Sequence, residues 1–172
     1  MAFVVQDDDG DVGGANALIT VAYFREYHRD RNNDLGIKTD EEIQSAIISA
    51  TDYLGSRWKF RGTPLSSTTS WPRNCVVDAN GETVEGIPVA IQQAVAEYAL
   101  YALSASLTVN PALDASGRLI SKIRKEVVGG VVKDVTYDVS KGQQFQAVPA
   151  ADQRLKFSGL LRATSSSSLM RG

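Results

Sequence analysis

The most continuous apolar pattern runs from Pro88 to Leu107, PVAIQQAVAEYALYALSASL. Pro88 stands where a helix tolerates proline, at its first turn, and no Gly or Pro interrupts the residues that follow. Ile91, Ala94, Val95, Tyr98, Ala102 and Ala105 recur at the 3.6-residue period, while Val89, Ala96, Leu100, Leu103 and Leu107 cover the flank. The polar remainder is a narrow strip of Gln92, Gln93, Glu97 and Ser104. A helix of this length, roughly 30 Å, that is apolar on most sides has to be wrapped by other elements. The pattern therefore predicts a central helix. Gln92, Gln93 and Glu97 lie too close together for a membrane span, which needs about 20 residues with few polar interruptions.

The remaining pattern is shorter and mostly helical. Ala2–Val5 is an apolar run that suits an edge strand or extended arm, and Gln6–Gly14 (QDDDGDVGG) reads as a polar turn. Asp7, Asp9 and Gly10 are spaced somewhat like a calcium loop, but Val5 stands where such a loop needs its first Asp or Asn and Asn16 where it needs a Glu, so a solvated turn is expected. Thr20 is a predicted N-cap for a helix that places Val21, Phe24 and Tyr27 or His28 on one face. Thr39-Asp40-Glu41-Glu42 spells a capping box, and Ile43, Ala46, Ile47, Ala50 and Leu54, with Tyr53 alongside, predict a helix over about 40–55. Residues 57–86 lack helical periodicity and are rich in Ser, Thr, Gly and Pro; Asn80-Gly81 predicts a tight turn between Val76-Val77 and Thr83-Val84. A connection that long usually carries a task. Beyond Asn110-Pro111, a hairpin is expected over about 119–139 around Gly129-Gly130, with Val131, Val135, Tyr137 and Val139 on one face of its second arm. Its first arm is ambiguous, because Ile120, Ile123 and Val127 also fit a helix. A last short helix is expected between Val148 and Leu161, and the tail 165–172 (SSSSLMRG after Thr164) cannot fold by itself.

The fold class is thus mainly α: a small helical bundle around a central Ala-rich helix, with a β-hairpin and extended terminal arms. A chain of 172 residues is one domain by length. Its core is expected from about 15–107 plus 148–161. A net charge of -2 gives no overall basic field of the kind a nucleic-acid binder uses. The single cysteine, Cys75, excludes an intrachain disulfide, and no apolar leader opens the chain, so synthesis in the cytoplasm is expected.

Catalytic chemistry is not in evidence. The one histidine, His28, sits among charged residues and reads as a surface or half-buried helical side chain. Cys75 has no neighbouring His or Cys for a metal site, and neither Gly-Gly pair has P-loop spacing. No enzyme, cofactor or metal is expected. One cluster does rise above background: Arg57-Trp58-Lys59-Phe60-Arg61, followed by Trp71 and Arg73. Cations interleaved with aromatic rings suit a single-strand groove, the cations for phosphates and the rings for bases. The competing reading, and the one taken forward, buries the rings beneath the long loop and leaves the arginines at its rim.

The order of motifs, ANALITVAYFREYHRDR, AIISATDYLGSRWKFRG, SWPR, GIPVAIQQAVAEYALYAL, then the Gly-Gly hairpin and a short helix, resembles the head–tail connector (adaptor) proteins of tailed bacteriophages. That resemblance implies a structural virion protein in the neck, forming a ring, commonly a dodecamer. It would sit beneath the portal protein, join tail or nozzle proteins, and let genomic DNA pass without specific binding. An exposed valine-rich hairpin edge and an anchor beyond a flexible serine run make Val131, Val135, Tyr137 and Val139 on the hairpin, and Leu169, Met170 and Arg171 on the tail, the expected assembly surfaces towards the portal or a neighbouring subunit. Sequences of this kind are also labelled DnaT-like single-stranded-DNA-binding proteins. That is the alternative, and it would use Arg57, Trp58, Lys59, Phe60, Arg61, Trp71 and Arg73.

Overall fold

The computed structural model describes residues 2–108, 123–128, 131–136 and 145–162. Among them the chain forms α1 (Val21–Arg29), α2 (Asp40–Arg57), β1 (Thr63–Pro64), β2 (Arg73–Asn74), α3 (Val89–Ala102), β3 (Ile123–Val128), β4 (Val131–Thr136) and α4 (Pro149–Phe157). Two compact units result, one from 1–107 with 147–172, the other from 108–146. The class is mainly α, as the periodicity predicts.

In the first unit α3 packs against α1, α2 and α4, the wrapping that its apolar perimeter requires. Ile91, Ala94, Val95, Ala96, Tyr98 and Ala99 are buried on it. The helix is shorter than predicted. It stops at Ala102, where Leu103 caps it and the Tyr101 carbonyl accepts from the Ser104 hydroxyl as well as from the Ser104 and Ala105 amides. Val89, expected on the apolar flank, is 60% exposed.

The other helices form where their caps predict. Thr20 accepts from the Tyr23 amide (3.0 Å), and Thr39 and Glu42 exchange both bonds of a capping box (3.2 and 2.9 Å). α2 buries Ile43, Ala46, Ile47, Ala50, Tyr53 and Leu54 and runs two residues past Gly55. His28 is a correction. It is fully buried, with Nε2 3.1 Å from the Ala96 carbonyl and Nδ1 3.0 Å from the Asn33 amide. The neighbouring charges point outward while position 28 faces α3, which the charge-rich local sequence concealed.

Hydrogen bonds from side chains fix the irregular segments. Asp7 accepts from the Gly10 and Asp11 amides, whereas Asp8, expected in a solvated turn, accepts from the Ile87 amide at 2.9 Å and anchors the approach to α3. The buried Gln6 reaches the Ser66 hydroxyl at 2.9 Å and ties the N-terminal arm to the long loop. Val5 bridges Ala17 in parallel, a single bridge rather than an edge strand. The Asn80-Gly81 turn is as predicted, with Val77 bridging Thr83 and the Val84 amide bonding the Val76 carbonyl at 2.9 Å.

In the second unit β3 and β4 pair antiparallel in the register Ile123↔Thr136 to Val128↔Val131, so the ambiguous first arm is strand over 123–128. In that register Val131 pairs with Val128 and Val135 with Arg124. Of the expected assembly residues, Tyr137, Val139, Leu169, Met170 and Arg171 lie outside the described residues, as does Gly129-Gly130.

Candidate nucleic-acid interface

The cation–aromatic segment begins at the last residue of α2, where the chain leaves the helix and crosses its end. There it meets the C-terminal segment: Phe60 bridges Leu161 antiparallel, the Arg61 amide donates to the Leu160 carbonyl (2.9 Å) and the Arg162 amide to the Lys59 carbonyl (2.8 Å). Lys59, Arg61 and Arg162 are thereby collected at one place, and all three are exposed. The sequence reading missed Arg162. Its partner is about a hundred positions away, and a lone Leu-Leu-Arg after a short helix carries no signal of its own.

The structure separates the seven sequence candidates. Trp71 is fully buried, with its ring edge-on to that of Phe60 at 5.6 Å between centroids. The Trp71 ring is closed to a ligand, whereas Phe60, 7% exposed, also borders the cleft described below. Arg57 is sealed as well, its side chain 10% exposed, paired with Asp152 at 2.6 Å and bonded to the Tyr53 hydroxyl. Asp152 also accepts from the Tyr98 hydroxyl at 2.6 Å, and Tyr98 in turn accepts from the Trp58 indole at 2.9 Å. This network joins the ends of α2, α3 and α4. Burial, with the Asp152 carboxylate second, pushes the Tyr98 phenol far above its ordinary range, so it stays protonated and donates.

Arg73 plays a third role. Its guanidinium donates to the carbonyls of Arg61 (2.7 Å), Gly62 (2.8 Å) and Ser70 (3.0 Å), holding the strand that presents Arg61 against β2. Gly62 sits within this clasp at φ +68°, and a Cβ there would collide with the Asn74 carbonyl oxygen.

What remains open is a cleft of about 320 Å³ between the end of α2 and this clasp. Gly55 and Ser70 line it, together with Trp58, Lys59, Arg73 and Arg162. Arg57 lies over the ring of the half-buried Trp58 at 4.9 Å, and Trp58 is among the residues that line the cleft. No carboxylate lines the cleft among the described residues, and no acidic side chain there pairs with Lys59 or Arg162. A molecule that is acidic on average thus has, among the described residues, a local surface of positive charge without an acidic partner beside the half-buried Trp58.

A mainly helical protein with a basic, aromatic-walled cleft is the class defined by this fold and site. The family model described as "Putative DnaT-like ssDNA binding protein" matches residues 1–172, and the chain belongs to that family. Neither the curated proteins nor the solved structures gave a match. This family assignment overturns the head–tail adaptor expectation, with its ring beneath a portal, its tail partners and its indifference to DNA. The adaptor reading leaned on the net charge of -2, an average that says nothing of how charge is distributed around one cleft.

Proposed function

We propose that this chain is a non-enzymatic binder of single-stranded DNA, and that the cleft beside Trp58 is its contact surface. The reading is carried by Lys59 and Arg162, which line the cleft with the half-buried Trp58, and by the backbone bonds that bring the exposed Arg61 beside the same chain crossing. Cations meet the phosphates and the indole offers a face to a base, a combination tolerant of sequence because every base has a π-face. The family description supports the same reading. Trp71 and Arg57 serve this surface from beneath, as packing and network, while Phe60 and Arg73 border it.

Three cations neutralising about three phosphates give a log–log salt slope of roughly -2 on a single strand. Fluorescence anisotropy of a labelled oligothymidylate, titrated at a series of salt concentrations, measures it. Replacing Lys59, Arg61 and Arg162 together by Gln is expected to lower the affinity at low salt and flatten the slope towards zero. A wild-type protein that leaves the oligonucleotide unbound at low salt, or a triple variant that binds as the wild type does, refutes the proposal.

A further inference from the structure

Gly55 has no evident structural reason to be glycine. It lies within α2, its φ is in the ordinary helical range, and a Cβ built on it would meet only Ser70, at 3.5 Å, an ordinary contact. In a helix interior glycine costs about 0.5–1 kcal/mol relative to alanine. What the missing side chain does is keep the cleft floor open, since Gly55 and Ser70 face each other there. The Ser70 hydroxyl is buried at this floor with no hydrogen-bond partner among the described residues. The cleft volume of about 320 Å³ sits at the small end of ligand pockets and cannot hold a run of bases.

Resting on the single-strand reading above, we infer that the cleft is a one-nucleotide seat rather than part of a continuous groove. Its phosphate lies between Lys59 and Arg162, its base lies against Trp58, and its depth is set by the bare Gly55 floor. Arg73 adds charge beside the seat, but three of its donors are already engaged with backbone carbonyls. The free ligand class implied is a nucleoside monophosphate. A nucleoside without the phosphate loses the charge-assisted contacts and is expected to bind about tenfold more weakly or worse.

The test uses thymidine monophosphate, thymidine and the labelled oligothymidylate on the full chain. Binding is followed by the NMR shifts of the Trp58 indole N–H, the Gly55 amide and the Ser70 amide. Thymidine monophosphate is expected to shift all three and to displace the oligonucleotide. Gly55→Leu, which fills the floor without changing any charge, is expected to abolish monophosphate binding while the far-ultraviolet spectrum stays that of the wild type. Arg162→Gln keeps its backbone bond to Lys59 and is expected to weaken monophosphate binding about tenfold, so it reads the seat even if Gly55→Leu fails to fold. If the oligonucleotide binds but the monophosphate does not compete, or if both variants bind it unchanged, the seat is refuted while strand binding stands. If neither ligand binds the wild type, both proposals fall.

Discussion

Replacing Asp152 by Ala strikes the point where three helices are tied together. Its carboxylate, 8% exposed, takes a bond from Arg57 on α2 and another from Tyr98 on α3 while belonging to α4 itself. Removing it strands the buried guanidinium without this counter-charge and leaves the Tyr98 hydroxyl without its acceptor. Breaking one side of a buried pair typically costs about 3–5 kcal/mol, a large share of the roughly 5–15 kcal/mol that holds a domain folded. Asp152→Asn keeps an oxygen for Tyr98 and loses the charge, so about 1.5–3 kcal/mol is expected. The decisive variant is the double replacement Arg57→Met with Asp152→Leu. It removes both charges and refills the space, and buried pairs replaced this way are commonly neutral, so it should recover most of what Asp152→Ala loses. Urea titrations followed by circular dichroism at neutral pH give the three values. A loss for Asp152→Ala within about 0.5 kcal/mol of zero, the range of ordinary surface substitutions, would refute the reasoning. So would a double variant no more stable than Asp152→Ala.

His28 makes stability depend on pH in a defined direction. Burial lowers its pKa from the ordinary 6.5, so below that value the unfolded chain binds a proton that the folded one refuses. Its stabilising contribution is complete above 6.5 and is lost as pH falls towards the folded pKa, with a slope of at most about 1.4 kcal/mol per pH unit. Urea midpoints measured down this range should fall for the wild type and stay flatter for His28→Gln; equal slopes would count against the assignment. On the central helix, Ile91→Ala is expected to cost about 2–5 kcal/mol because the side chain is fully enclosed. Leu100→Ala, at a half-buried position, should cost distinctly less, and the reverse order in urea would overturn the packing described for α3.

Local rules were enough for the elements and insufficient for the site. The Thr39–Glu42 box, the Ile43 to Leu54 spacing and the Asn80-Gly81 turn each express a preference within a few residues, and each formed where its pattern lay. The end of α3 was harder, because apolar residues continue to Leu107 while the serines at 104 and 106 weaken the last turn. Arg57 and Lys59 look alike in sequence, yet one is sealed against Asp152 and the other lies at an open rim. That difference is decided by α4 and by residues 160–162, whose approach leaves no periodic trace. The same distance effect hid Arg162 from the sequence and made His28 read as a surface or half-buried side chain rather than a fully buried one.

In the second unit, which also holds the β3–β4 hairpin, Thr108 bridges Phe145 antiparallel. This bridge brings the two ends of the second unit side by side, so the stretch from 108 to 146 leaves and rejoins the chain at a single doorway. Lengthening a loop whose ends are already held together adds only about 0.6 kcal/mol for each doubling. Insertions, deletions or wholesale exchange of this stretch can therefore accumulate at small thermodynamic cost, provided the doorway is kept. The helices and the cleft are built from residues of the first unit, which leaves the hairpin stretch free to diverge at a pace of its own.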